Sequence, residues 1–219
     1  MNTLLVINWV LFIVVLLYAV GLFAYLLKTR YDYVKLGRKE EFNIKLSDRV
    51  ADILEKVFGQ SKLLKDKKMG LVHVLFFYGF LMVQLGAIDL IWKGLAPGSH
   101  IPLGPLYQVF TFTQEIIVLT ILIAVAIAFY RRYMEKLVRL KRGFKNGLVY
   151  LFLSTLMFAT LFGNGFYLIW QDHGLTASEP VASSIAWLFQ WMSPSVAAGG
   201  FFFMWWAHLL ALLAFLVYI

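Results

Sequence analysis

A chain of 219 residues that is 61% hydrophobic, 17% aromatic and only 15% charged, with mean hydropathy +0.77, has too little polar surface to keep a soluble domain from aggregating. Its net charge of +8 is weak evidence for nucleic acid, because the cations cluster between long apolar runs. The absence of cysteine excludes disulfides, thiolate metal sites and cysteine-ligated iron-sulfur clusters within these residues, leaving histidine as the main candidate ligand for a transition metal.

A bilayer core about 30 Å thick needs roughly 20 helical residues. Five segments reach that length, at about 4–27, 70–92, 105–130, 147–170 and 197–219. They predict an all-α membrane protein, a five-transmembrane-helix bundle in a single domain, since a closed barrel would show alternating segments of about ten residues. The first segment opens as MNTLLVINWVLF without a basic n-region and runs into KTR rather than a small-residue cleavage site, so it is expected to persist as a helix. The basic loop that follows contains SDRVADILEKVFG. There Ser47 is the expected cap, Val50, Ile53, Leu54, Val57 and Phe58 form an apolar stripe, and Gly59 is the expected stop. Such a helix is expected on the membrane surface or against a partner.

The second segment is entered through KDKKMGLVH, with His73 one turn inside and Phe76, Phe77, Phe80 and Gln84 on its face; it ends with Asp89 and Lys93. His100 follows in a loop. The third segment carries Gln108, Thr111 and Glu115 on one face at i, i+3, i+7 and closes with FYRRY. Asn164 sits in the GNG of the fourth, and His173 follows it. The stretch SEPVASSIAWLFQWM predicts a short interfacial helix with Trp187 and Trp191 at headgroup level. His208 lies near the middle of the fifth segment, in MWWAHLLALLAF, with Phe201, Met204, Trp205, Leu212 and Phe215 on its face and Gly199 and Gly200 just above.

Twelve Lys and Arg fall between the first two segments, from Lys28 to Lys68, and seven between the third and fourth, from Arg131 to Lys145; the remaining loops hold only Lys93. The positive-inside rule therefore predicts an external N-terminus and a cytoplasmic C-terminus. The charge serves topology and attraction to anionic lipid.

A histidine in hydrocarbon must be hydrogen-bonded, coordinated or facing a cavity, because an unsatisfied polar group there costs several kcal/mol. His73 and His208 thus admit two readings: an interhelical hydrogen bond, or axial ligation of haem through one nitrogen while the other finds an acceptor. The nearby glycines can admit a macrocycle, and they equally serve close helix packing.

The five-helix layout, the basic loop leading into KKMGLVHVLFFYGFLM and the FYRRY after the third helix resemble the nitrate reductase gamma-subunit-like cytochrome b domain. Within that group the chain is most similar to the membrane part of heterodisulfide-reductase-related iron-sulfur proteins, notably electron-transfer flavoprotein:menaquinone oxidoreductases. The resemblance covers essentially the whole chain. It implies one or two b-type haems carrying electrons from cytoplasmic iron-sulfur clusters and an electron-transfer flavoprotein to menaquinone, in a bacterial inner membrane. The clusters belong to a domain or subunit outside these residues, and the apolar ending LLAFLVYI is expected to be a point where a longer protein continues or a partner takes over.

The family pattern supplies two histidines from each of the second and fifth helices, whereas this chain has His73 and His208 alone. At 1.5 Å per residue His73 lies roughly 5 Å and His208 roughly 16 Å from the inner boundary. They serve one haem through helix tilt, or two haems, with His100 and His173 as weaker candidates for an outer ligand. Quinone reduction also consumes protons, so Asp89 and Glu115 are the candidate proton carriers, with Lys93 and Gln108 beside them. The structural alternative pairs Asp89 with Lys93 at i, i+4 and bonds Glu115 across the bundle. Two other functions compete with the redox reading: a haem-free anchor for a soluble redox partner, and a small transporter using Asp89 and Glu115 as its polar path.

Overall fold

A computed structural model describes residues 3–38, 44–65, 67–135 and 142–218. Lys39, Lys136, Arg139, Lys141 and Ile219 lie outside the described residues. Among the described residues there is no strand. The long helices are α1 (Thr3–Lys35), α3 (Lys67–Leu95), α4 (Leu106–Tyr133), α5 (Phe144–Gln171) and α7 (Pro194–Tyr218), and the short ones are α2 (Leu46–Ile53) and α6 (Pro180–Leu188). The five long helices are each long and apolar enough to cross a membrane.

Most of these helices overrun their apolar segments. Hydropathy marks the part that suits hydrocarbon, while hydrogen bonding continues into polar flanks made of helix-compatible residues. Thus α1 continues through the KTRYDYVK stretch and stops just before Gly37.

The chain falls into two compact units, Met1–Phe23 with Met82–Ile219, and Ala24–Leu81. In the larger, α5 packs along α7 and also against α6 and α4. Small residues allow the close approaches. A Cβ on Gly165 would meet Ile185 at 2.6 Å, and one on Gly200 would meet the Phe166 ring at 2.8 Å. Phe12 is 1% exposed; it tilts against Trp205 at 5.5 Å and packs with Leu209 and Leu213, its ring lying over Gly94. Trp206 donates to Asn8 at 2.8 Å and Trp9 to the Leu95 carbonyl at 3.2 Å, so α1 is tied to α7 and α3 by polar as well as apolar contacts. Many large side chains, including Leu17, Ile127 and Phe203, remain exposed, as expected where the surrounding solvent is hydrocarbon.

In the smaller unit α2 leads into a π turn, Leu54–Phe58, and a 3-10 turn, Leu63–Lys65. Ser47 is not the cap. Lys45 occupies that position with an extended backbone, and the Ser47 hydroxyl donates to Asp48 instead at 3.2 Å. Gly59 does end the π turn, its N–H donating to Leu54 at 2.7 Å, but the left-handed conformation falls to Gln60 at φ 51°. Gln60 holds that conformation with a side-chain bond to the Val57 carbonyl at 2.6 Å.

Candidate functional site

His208 is the buried histidine of α7, 6% exposed. Its Nδ1–H donates to the Leu156 carbonyl at 3.1 Å and lies 3.0 Å from the Thr160 hydroxyl. Thr160 itself donates back to Leu156 at 2.9 Å, so one turn of α5 fixes both the imidazole and the hydroxyl. With Nδ1 carrying the proton, a neutral ring presents Nε2 as a lone-pair donor. Haem-ligating histidines share this tautomer, with the second ring nitrogen held by a carbonyl. Space for a macrocycle is uneven nearby: Phe166 fills the approach to Gly200 and Met204 sits 3.4 Å from a Cβ on Gly163, whereas one on Gly199 would meet nothing within 4 Å.

His73 belongs to the smaller unit and is exposed on α3. The aromatic residues following it are engaged locally, Phe77 with Phe58 at 6.4 Å and with Tyr78 at 5.3 Å. Among the described residues no group of three or more His, Asp or Glu is placed to hold a metal ion directly. A haem needs only axial ligands from the protein.

The second polar assembly sits where α3 ends and α4 begins. Asp89, buried on α3, forms an ion pair with Lys93 at 2.9 Å, accepts from the Tyr107 hydroxyl at 3.0 Å, and accepts from the Ile101 N–H at 3.0 Å. His100 stacks on Tyr107 with ring centroids 3.9 Å apart while its Nδ1–H donates to Ile101 at 3.0 Å. From the α5–α6 loop, Glu179 comes within electrostatic reach of Lys93 and His173. Burial pushes the Glu179 carboxyl above the usual carboxylate range, against the opposing pull of those two neighbours.

Glu115, only 1% exposed, serves a different element. Pro180 opens α6 and has no N–H, so the next two donors need acceptors. Glu115 supplies both, receiving Val181 N–H at 2.7 Å and Ala182 N–H at 3.1 Å, and Asn164 faces the same carboxylate. A carboxylate at a helix N-terminus also meets the favourable end of its dipole. Thr111 reaches the Ser178 carbonyl at 3.4 Å, so the predicted α4 face does point at the segment leading into α6, while the Gln108 side chain is exposed. Both pairings of the structural alternative are therefore present, Asp89 with Lys93 and Glu115 across the bundle.

Sequence reasoning passed over Tyr107, Glu179 and Thr160. An acid directly before Pro180 was the available signal for Glu179. Thr160, 48 residues from His208, carried none.

No family model matches the chain, and no solved structure matches it. A curated relative, the probable iron-sulfur-binding oxidoreductase FadF of Bacillus subtilis strain 168, is 58% identical over 219 residues. That alignment takes in 100% of this chain and 31% of the relative. The chain thus spans about a third of the length of the curated relative it matches, and it resembles a part of an iron-sulfur oxidoreductase.

Proposed function

We propose that this chain is the membrane electron-transfer part of an iron-sulfur-binding oxidoreductase, a cytochrome b-like domain of a bacterial cell membrane that delivers electrons to menaquinone. The observation that carries the reading is His208, buried in a membrane-length helix with Nδ1 held by Leu156 and Thr160, so that Nε2 is the nitrogen that would ligate. A match at 58% identity along the whole chain to a segment of an iron-sulfur-binding relative supports the redox class. With no cysteine in these residues, cysteine-ligated clusters belong to a further domain or a partner subunit, fed by an electron-transfer flavoprotein on the cytoplasmic side.

When bound, b haem supplies one-electron exchange at its iron. His208 would hold the iron through Nε2, and His73, on α3, would be a further ligand candidate. His100 and His173 are the remaining ligand candidates for a haem at the outer end. The quinone head is placed beside Asp89, Lys93, Tyr107 and Gln108. There the Tyr107 hydroxyl, the Asp89 carboxylate and the Lys93 ammonium form a continuous path along which a proton passes. Glu115 lies against the start of α6, and a proton arriving on it competes with the N–H groups of α6 for its oxygens.

Purified protein should show a b-type Soret band with a reducible α band. His208→Ala and His73→Ala should each remove haem or change its ligation, whereas Thr160→Val should keep the haem and alter its spectrum or potential by releasing the ring. Folded protein that stays colourless after haem supplementation returns both histidines to hydrogen bonding. Asp89→Asn and Glu115→Gln should slow quinone reduction with haem content unchanged; unaltered turnover in both makes them structural. The satisfied state of both carboxylates favours a second reading, a haem-free anchor, and the same spectrum separates the two.

A further inference from the structure

We propose that the exposed face of α2 and its π turn is a membrane-binding surface whose partner is the anionic headgroup layer of the bilayer. The inference goes beyond electron transfer and does not depend on it. Leu46, Val50, Ile53, Leu54, Val57 and Phe58 are each 45% exposed or more, a continuous apolar strip among charged residues. Wider i→i+5 bonding in the π turn keeps that strip together, because it brings Phe58 round to the side of Ile53.

Two observations select lipid over a soluble protein. The end of the turn is fastened to a membrane-crossing helix: the Tyr78 hydroxyl donates to the Phe58 carbonyl at 2.5 Å and the Phe58 ring meets Phe77 edge-on at 6.4 Å. Tyr78 is five residues inside the span that begins at His73, or about 7–8 Å along the helix. That matches the depth of about 5–10 Å to which interfacial helices bury their apolar faces. Charge is arranged to suit the same orientation. At helical spacing Asp48 and Asp52 lie opposite Val50 and Ile53, facing water, and Lys45, Lys62 and Lys65 flank the helix where they can reach headgroup phosphates. Lys56 is held by Asp52 on the polar side.

The absence of cysteine from these 219 residues makes the test direct. Single substitutions Val50→Cys and Ile53→Cys on the strip, and Ala51→Cys and Glu55→Cys on the polar side, are labelled with bimane. The full chain is reconstituted in phosphatidylcholine vesicles containing about 30% phosphatidylglycerol. Quenching by doxyl lipid relative to aqueous iodide should be about fivefold greater at the two strip positions than at the two polar ones. In vesicles of phosphatidylcholine alone, the strip positions should lose about half of that advantage. Equal ratios on both faces overturn the proposal. So does shielding of Val50→Cys and Ile53→Cys from both quenchers, which would mean that protein covers the strip, and so does indifference to lipid charge. All four substitutions are at exposed positions, and unchanged thermal midpoints confirm that the fold is retained.

Discussion

Glu115, buried, and Glu179, half-buried, are two carboxylates that take different tasks from the groups around them. Glu115 receives two backbone donors, so Glu115→Ala leaves the Val181 and Ala182 N–H groups buried without partners and should destabilise the protein by about 1–3 kcal/mol. Thermal unfolding in detergent measures the loss, and an unchanged midpoint would mean that α6 does not need this cap. Glu179, in the loop between α5 and α6, has its folded pKa raised by burial. The folded protein then retains the proton to a higher pH than the unfolded chain does, so stability falls as pH climbs from the ordinary glutamate range through the raised value. Glu179→Gln should flatten that part of the stability profile while leaving the lower-pH limb unchanged. A profile that keeps its slope would place the titration elsewhere.

At the scale of elements, close approach matters more than helix propensity. α5 reaches α6 over Gly165, where any side chain would run into Ile185. Gly165→Leu should therefore displace α6 and, through it, the segment that faces Thr111 and Glu115, with a cost of about 1–3 kcal/mol or more from overpacking. Phe12 is the corresponding anchor of α1, and Phe12→Ala should cost about 3–5 kcal/mol by opening a cavity against Trp205, Leu209 and Leu213. Comparing the two thermal midpoints checks both, and a Phe12→Ala midpoint equal to the parent would mean that α1 is held chiefly by the Asn8–Trp206 and Trp9–Leu95 hydrogen bonds.

For the whole molecule, the uneven distribution of cations sets the proposed topology. Reporters fused after Lys68 and after Lys145 should score cytoplasmic and one at Gly98 external, because the cation-rich loops are retained inside. The opposite result at two of the three sites reverses the orientation and moves the Asp89–Tyr107–Lys93 assembly to the cytoplasmic end. This experiment also decides on which side α2 meets its leaflet.

The sequence by itself determined the class and the spans, because an apolar run of membrane length carries its own solvent preference and needs no partner to declare it. It also exposed the amphipathic stripe of α2, the short α6, and the i, i+4 pairing of Asp89 with Lys93, all set by local helical spacing. Partners far apart in the chain were decided only by tertiary structure. That His208 is held by Leu156 and Thr160, and that Glu115 caps α6, depends on how helices rotate against each other, and apolar faces packed in apolar solvent leave little periodic trace of that rotation. The π turn after α2 likewise depends on Phe58 finding Tyr78 and Phe77, contacts made 19 and 20 residues away along the chain.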